Sequence, residues 1–347
     1  MSLVDASDMI VEQRPLTDHS STDRRLVHRS ALSEVFLTDA VAEDALTYIV
    51  AAQLPPSHAY FTDHLSRRGG IDPLLLLECC RQAETYVSHR YLDVPLGYNF
   101  ILASWSMSFE NLHYRNRIEQ CVSLRLSVHT EVPRYIAGQL RSVTFRIEIS
   151  TATAVRLGTV AMKVKYTSKE VYRALRESRR GSAPKMNTEL PGARHGVVEA
   201  VTVGRLSAQN VVLSDLRHTP NGIKAQVCPA FDNPSFFDHP QDHVPAMVTV
   251  EAVRQLALLA LADECGLSAM HTQVSAIEGT FYDYIELDTT TELTVAELTT
   301  RVDTDHPGAL FRSRLHVDVE QESKTMCRLV MELITARGSI TPAAMTA

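Results

Sequence analysis

A chain of 347 residues, 45% hydrophobic and 22% charged, has the composition of a globular protein long enough for two ordinary domains. Its formal charge of −7 excludes bulk electrostatic attraction to nucleic acid, and no apolar run approaches the ~20 residues needed to span a bilayer. The six cysteines form no CxxC pair and no metal-like spacing with histidine, so buried, reduced thiols in a cytoplasmic setting are expected.

Residues 1–24 read as a polar lead-in, without the basic and apolar regions of an export signal. Val35-Phe36-Leu37-Thr38-Asp39 opens the first folded unit, placed at 25–167. There follow Tyr60-Phe61-Thr62-Asp63-His64, then Asp72-Pro73, four leucines and E-x-x-R-Q from Glu78 to Gln82. The spacing predicts a helix over 73–91, with Asp72 as N-cap and Pro73 at the first helical position. Strand-like stretches come next at 100–109, 121–130, 139–150 and 152–166, the third alternating clearly in Val143-Thr-Phe-Arg-Ile-Glu-Ile. A basic linker, 168–199, starts with a short helical pattern carrying Arg173, Arg176, Arg179 and Arg180.

The second unit, 200–338, repeats the first in order. Val211 to Asp215 matches Val35 to Asp39; Phe236-Phe237-Asp238-His239 matches the aromatic-Asp-His segment; Pro245 opens a twin helix over 245–263 with E-x-x-R-Q from Glu251 to Gln255. Strands are predicted at 273–282, 292–300, 310–320 and 325–335, and residues 339–347 form a tail. One long apolar helix followed by an antiparallel meander implies a sheet wrapped around that helix. The expected class is α+β, a tandem double hotdog in which each half wraps a long central helix in an antiparallel sheet.

The candidate catalytic residues are Glu78, Arg81, Glu251 and Arg254. Each pair lies one turn apart on a helix otherwise almost wholly apolar. A buried ion pair is a poor stabiliser compared with apolar residues, so its presence in both copies points to use. Desolvation should raise such a carboxylate's pKa toward that of a general base, and arginine suits a phosphate. Gln82, Gln255, His64, His239 and His243 are the candidate substrate contacts. A histidine ahead of the helix can reach a carboxylate two turns in, whereas His243 and Asp72 read more simply as helix caps. First-turn amides near Leu74–Leu75 and Ala246–Met247 could polarise a thioester carbonyl, and Arg115, Arg117 and the linker arginines could dock an anionic carrier, although a solvated basic face is the default. Nucleophile-elbow, P-loop, dinucleotide and zinc-protease motifs are missing from the sequence, so neither cofactor nor metal is expected.

The segments Y-F-T-D-H…D-P-L-L-L-L-E-C-C-R-Q and F-F-D-H-P-Q-D-H-V-P-A-M-V-T-V-E-A-V-R-Q resemble the two repeats of the A-factor biosynthesis hotdog family, the γ-butyrolactone synthases. Both are also similar to the broader acyl-carrier dehydratase pattern. The resemblance implies an acyltransferase that moves a β-ketoacyl group from a thioester of acyl carrier protein or CoA, a co-substrate, to the hydroxyl of dihydroxyacetone phosphate. The product would lead to a butyrolactone, butenolide or furan-type signalling molecule. It also implies that the family's helix glutamates and arginines fall on Glu78, Glu251, Arg81 and Arg254. Cys79-Cys80 stands where the family has small residues, and Ala246 where it commonly has glycine. The partners expected are thus a thioester and a phosphorylated acceptor, without nucleic acid or membrane, and a homodimer is compatible with them. The rival readings are a dehydratase or thioesterase on the same fold, or a non-catalytic acyl or lactone binder.

Overall fold

The computed structural model describes residues 14–65, 70–111, 121–219, 222–303 and 309–336. The C-terminal tail, Arg115 and Arg117 lie outside the described residues. The first half runs β1 (Leu37–Ala42), β2 (Thr47–Leu54), α1 (Pro73–Arg90), β3 (Asn99–Phe109), β4 (Val122–Ile136), β5 (Gln139–Thr151) and β6 (Arg156–Thr167). After α2 (Lys169–Arg180), the second half runs β7 (Leu213–Thr219), β8 (Gly222–Val227), α3 (Ala246–Cys265), β9 (Thr272–Phe281), β10 (Glu292–Val302), β11 (Ala309–Gln321) and β12 (Lys324–Ala336).

The strands join into a single antiparallel sheet of order β1-β2-β4-β5-β6-β3-β9-β12-β11-β10-β8-β7. Read outward from the central β3–β9 pair, the order in one half mirrors that in the other. The predicted meander strands are present. The outer pairs β1–β2 and β7–β8, which precede each helix, were not predicted; each of these strands is only six to eight residues long. The seam pairs Trp105 with Gly279, and a Cβ on Gly279 would lie 2.5 Å from the indole nitrogen of Trp105. Glycine at this position is what lets the ring lie across the junction.

Each long helix lies against the strands of its own half, α1 on β1, β2, β4 and β5, and α3 on β7, β8, β10 and β12. Their apolar residues form one continuous core with the inward-facing strand residues. Asp72 caps α1 as expected, its carboxylate accepting from Leu74 N. On α3 the helix begins one residue later than predicted: Pro245 is itself the cap position, and no side chain caps the end. His243 is therefore not a cap; its Nδ1 lies 2.6 Å from Asp242 Oδ1 and its ring meets Tyr284 edge-on.

The basic helix α2 is a clasp on the second half, not a solvated face. Arg176 is 3% exposed, lies over the Tyr284 ring and pairs with Glu286, while Arg180 reaches Glu286 and Asp288. Arg179 pairs with Asp283. Three of the four linker arginines that read as part of a docking surface are engaged within the fold.

Candidate active site

Glu251 sits on the buried face of α3, 0% exposed. Its Oε1 accepts from Arg205 Nε (2.9 Å) and Gln255 Nε2 (2.6 Å), and its Oε2 from Tyr60 OH (2.9 Å) and Arg254 Nε (2.8 Å). Arg205 Nη2 also approaches Oε1 at 2.6 Å, out of line for a hydrogen bond. Arg254 continues across to the first half, where its Nη1 donates to Asp72 Oδ1 at 2.7 Å. The second oxygen of Asp72 is 2.6 Å from His64 Nε2. One connected network thus joins Tyr60, His64 and Asp72 of the first half to Arg205, Glu251, Arg254 and Gln255 of the second.

The corresponding network on α1 is built alike. Glu78, 1% exposed, accepts from Arg81 Nε (2.8 Å), Arg29 Nη2 (2.5 Å) and Gln82 Nε2 (2.7 Å). Neither glutamate is a desolvated base. Burial pushes the Glu78 carboxyl up, but Arg29 and then Arg81 outweigh it and hold the group at about 2. At Glu251, burial is likewise outweighed by Arg205 and Arg254, and the pKa is lowered. The expectation of a raised pKa fails because it counted one arginine per glutamate, and the fold brings two. Arg29 and Arg205 precede the matched Val35 and Val211 by the same interval, so extending the repeat upstream would have found them.

Gln82 and Gln255 are not substrate contacts in this arrangement. Both are 0% exposed. Gln82 accepts from Phe36 N and donates to Glu34 O; Gln255 accepts from Val212 N and donates to Asn210 O. Each amide ties the entry of the first strand of its half to the central helix. His239 is held between Asp238 and Gln241 at the surface, and His243 belongs to the α2 clasp.

His64 is placed differently from the expectation. Its carboxylate partner is Asp72, not Glu78 two turns in. Burial, then Arg205, lower its pKa to about 4, against the opposing pull of Asp72, so the ring is neutral near pH 7. Burial pushes Asp72 up, but Arg254 and His64 overcome it, so Asp72 is ionised. An ionised carboxylate can only accept, which assigns the proton to Nε2 and leaves a lone pair on Nδ1. Among the described residues nothing is bonded to that Nδ1. His64, Asp72 and Arg254 line a cleft of about 190 Å³ together with His271, Gln273 and Leu258. The first-turn amides of α1 are not available in it: Leu74 N bonds to the Asp72 side chain, and Leu75 and Leu76 N to its carbonyl.

A neutral histidine oriented by a carboxylate, in a cleft at the start of a buried helix, defines a site suited to proton transfer. The A-factor biosynthesis hotdog domain model matches residues 11–168 and again 186–336, and the chain belongs to that family. A Streptomyces virginiae protein named 2-oxo-3-(phosphooxy)propyl 3-oxoalkanoate synthase is 33% identical over 69% of this chain and 76% of its own length. The Streptomyces coelicolor protein of the same name is 30% identical over 76% of this chain and 78% of its own. Among solved structures, a putative oleoyl thioesterase from Lactobacillus plantarum aligns with a TM-score of 0.46 at 10% identity, covering 84% of this chain and 97% of its own. The dehydratase domain of RzxB from Pseudomonas fluorescens aligns with a TM-score of 0.44 at 10% identity, over 84% and 94%.

Proposed function

We propose that this chain is an acyltransferase, moving a 3-oxoacyl group from a carrier-protein or CoA thioester to the hydroxyl of glycerone phosphate, and that it is a tandem double hotdog with halves at 25–167 and 200–338. The names of the relatives support the reaction. The observation that carries the assignment to a site is the His64–Asp72 contact of 2.6 Å, made through Nε2 by a histidine that lines the cleft.

In this reading His64 Nδ1 takes the acceptor's hydroxyl proton as its oxygen attacks the thioester carbonyl. Asp72 stabilises the imidazolium as it forms. The tetrahedral intermediate collapses, the C–S bond breaks, and the departing thiolate recovers the proton from His64. Glu251 and Arg254, assigned to catalysis on sequence, act as positioning residues: Arg254 holds Asp72, and Glu251 holds Arg254. Among the described residues the Arg254 guanidinium is already bonded to Glu251, Asp72 and Tyr60, which suits it to positioning.

The test is incubation with a 3-oxoacyl thioester, with and without glycerone phosphate, with product mass as the readout. The expected result is an acceptor-dependent ester, lost in His64→Ala. Full turnover in that variant would overturn the site, and acceptor-independent hydrolysis or dehydration of the thioester would overturn the reaction.

A further inference from the structure

Attack on a thioester gathers negative charge on its carbonyl oxygen, and a hydrogen-bond donor aimed at that oxygen lowers the barrier. The first-turn amides of α1 cannot serve, being bonded to Asp72. Other donors around the cleft are engaged as well. Arg254 is bonded to Glu251, Asp72 and Tyr60, and His64 Nε2 to Asp72. Thr272 Oγ1 donates to Ser268 O at 2.9 Å, and the amides of Met270 and His271 are bonded to Ser268. Gln273 is the exception. It lines the cleft, partly buried, and its side chain makes one long hydrogen bond among the described residues, from Nε2 to Ile71 O at 3.4 Å. An amide nitrogen carries two N–H groups, so one of them is spare.

The Ile71 bond also says where that amide stands. Ile71 immediately precedes Asp72, so Gln273 of the second half reaches the backbone that carries the His64–Asp72 pair of the first. His271 lines the cleft too, but no hydrogen bond ties its ring to that pair among the described residues. A comparison of the two halves shows that the sheet itself does not call for an amide here. β3 and β9 each carry one residue out of register, Ala103 between Leu102 and Ser104, and Ser275 between Val274 and Ala276. Two residues before each irregularity stand Ile101 and Gln273. An aliphatic residue serves at that place in β3; the amide is found where the strand borders His64 and Asp72. A bulge beside a site commonly serves to re-aim a side chain.

We infer that Gln273 is a further catalytic residue, its Nε2 donating to the thioester carbonyl oxygen as charge builds there, an inference that rests on the acyl-transfer reading. As the acceptor oxygen bonds to the carbonyl carbon, its proton passes to His64 and the C=O π pair moves onto the oxygen facing Gln273. When that pair returns, the C–S bond breaks and the departing thiolate takes the proton back from His64. Gln273 gives up no proton; it holds the charge in place between the two steps. Such a bond is stronger in the transition state than in the bound thioester, so its loss falls on kcat more than on KM.

Two measurements on the full chain test it. In the acyl-transfer assay, Gln273→Leu should lower kcat by about a hundredfold with little change in KM for the thioester. Gln273→Glu, the same size but without a donor when ionised, should lose at least as much. The second measurement needs no turnover. A 3-oxoacyl thioester carrying carbon-13 at its thioester carbonyl is bound without acceptor, and its carbonyl stretch is read by infrared difference spectroscopy. The stretch should lie below its solution frequency in the wild type and return toward it in Gln273→Leu. Full kcat in both variants, or one stretching frequency shared by wild type and Gln273→Leu, would overturn the proposal. Transfer lost in His64→Ala but intact in Gln273→Leu would remove Gln273 and leave His64 in place. A wild type that makes no ester would instead remove the acyl-transfer reading, and the carbonyl stretch would still decide whether Gln273 meets the thioester.

Discussion

Arg205 is a fully buried arginine, and replacing it with methionine tests whether the Glu251 network is an interdependent unit. Arg205→Met removes the Nε bond to Glu251 Oε1 (2.9 Å) and two donations from Nη1, to Tyr60 O (2.8 Å) and Asp63 O (2.9 Å). It also removes the guanidinium stacked 4.4 Å over the Tyr60 ring. Glu251 keeps Arg254, Gln255 and Tyr60, but loses the leading attraction that offsets its burial. Breaking one side of a buried ion pair costs about 3–5 kcal/mol, and the two orphaned carbonyls keep the effect at the upper end. Equilibrium urea unfolding can follow it through Trp105, the single tryptophan, which lies at the seam between the halves. The pH dependence supplies a second check. In the wild type Glu251's folded pKa is lowered, so its stabilisation is present above the unfolded value of 4.5 and is lost as pH falls through the folded value. Without Arg205 the folded pKa moves up from its lowered position, since Arg254, His64 and Gln255 alone are left to oppose burial, and less stabilisation is gained as pH rises. The gap between variant and wild type should therefore be wider near pH 7 than near pH 4. A gap below ~1 kcal/mol near neutrality, the size of a surface pair, or one that does not change with pH, would refute the reasoning.

Glu84 offers the opposite sign. Burial, only partly offset by Thr85, Arg81, Ser88 and Tyr166, pushes its carboxyl up to about 7, so its contribution to stability is intact below the unfolded value and lost as pH rises through about 7. Glu84→Gln should flatten that decline and leave the variant more stable by about 2–3 kcal/mol above pH 8, measured by urea unfolding across pH. Equal pH slopes in the two proteins would count against it. Gly279→Ala should destabilise the seam by about 1–3 kcal/mol and shift the Trp105 emission, because the new methyl group would meet the indole at 2.5 Å. An unshifted spectrum with unchanged stability would mean that the sheets can slide to admit it.

Much of the fold was legible because its signals are local. The alternating residues from Val143 to Ile149 mark a strand half-buried in a sheet, and the Asp72-Pro73 pair marks the start of α1. The site was legible in part. E-x-x-R-Q places each glutamate and arginine on one helix face, and both pairs are indeed bonded, Glu251–Arg254 fully buried and Glu78–Arg81 with its arginine only part-buried. Their role could not be read that way, because the acidity of Glu78 and Glu251 is decided by Arg29 and Arg205, which lie far from them in the chain. The glutamines were misread for the same reason: a polar residue on a buried helix face looks like a ligand contact until the backbone groups it satisfies, here Phe36 N and Val212 N, are known.

By itself the sequence determined the repeat, the two central helices with their polar spots, and the ordering of strands behind them, since these follow from periodicity, capping and composition over short stretches. Only the tertiary structure decided that His64 answers to Asp72 and that Arg254 of one half holds Asp72 of the other. Each of those contacts crosses between segments whose approach depends on how the helices lie against one shared sheet, and a charge takes its pKa from whatever is near in space, whatever its place along the chain.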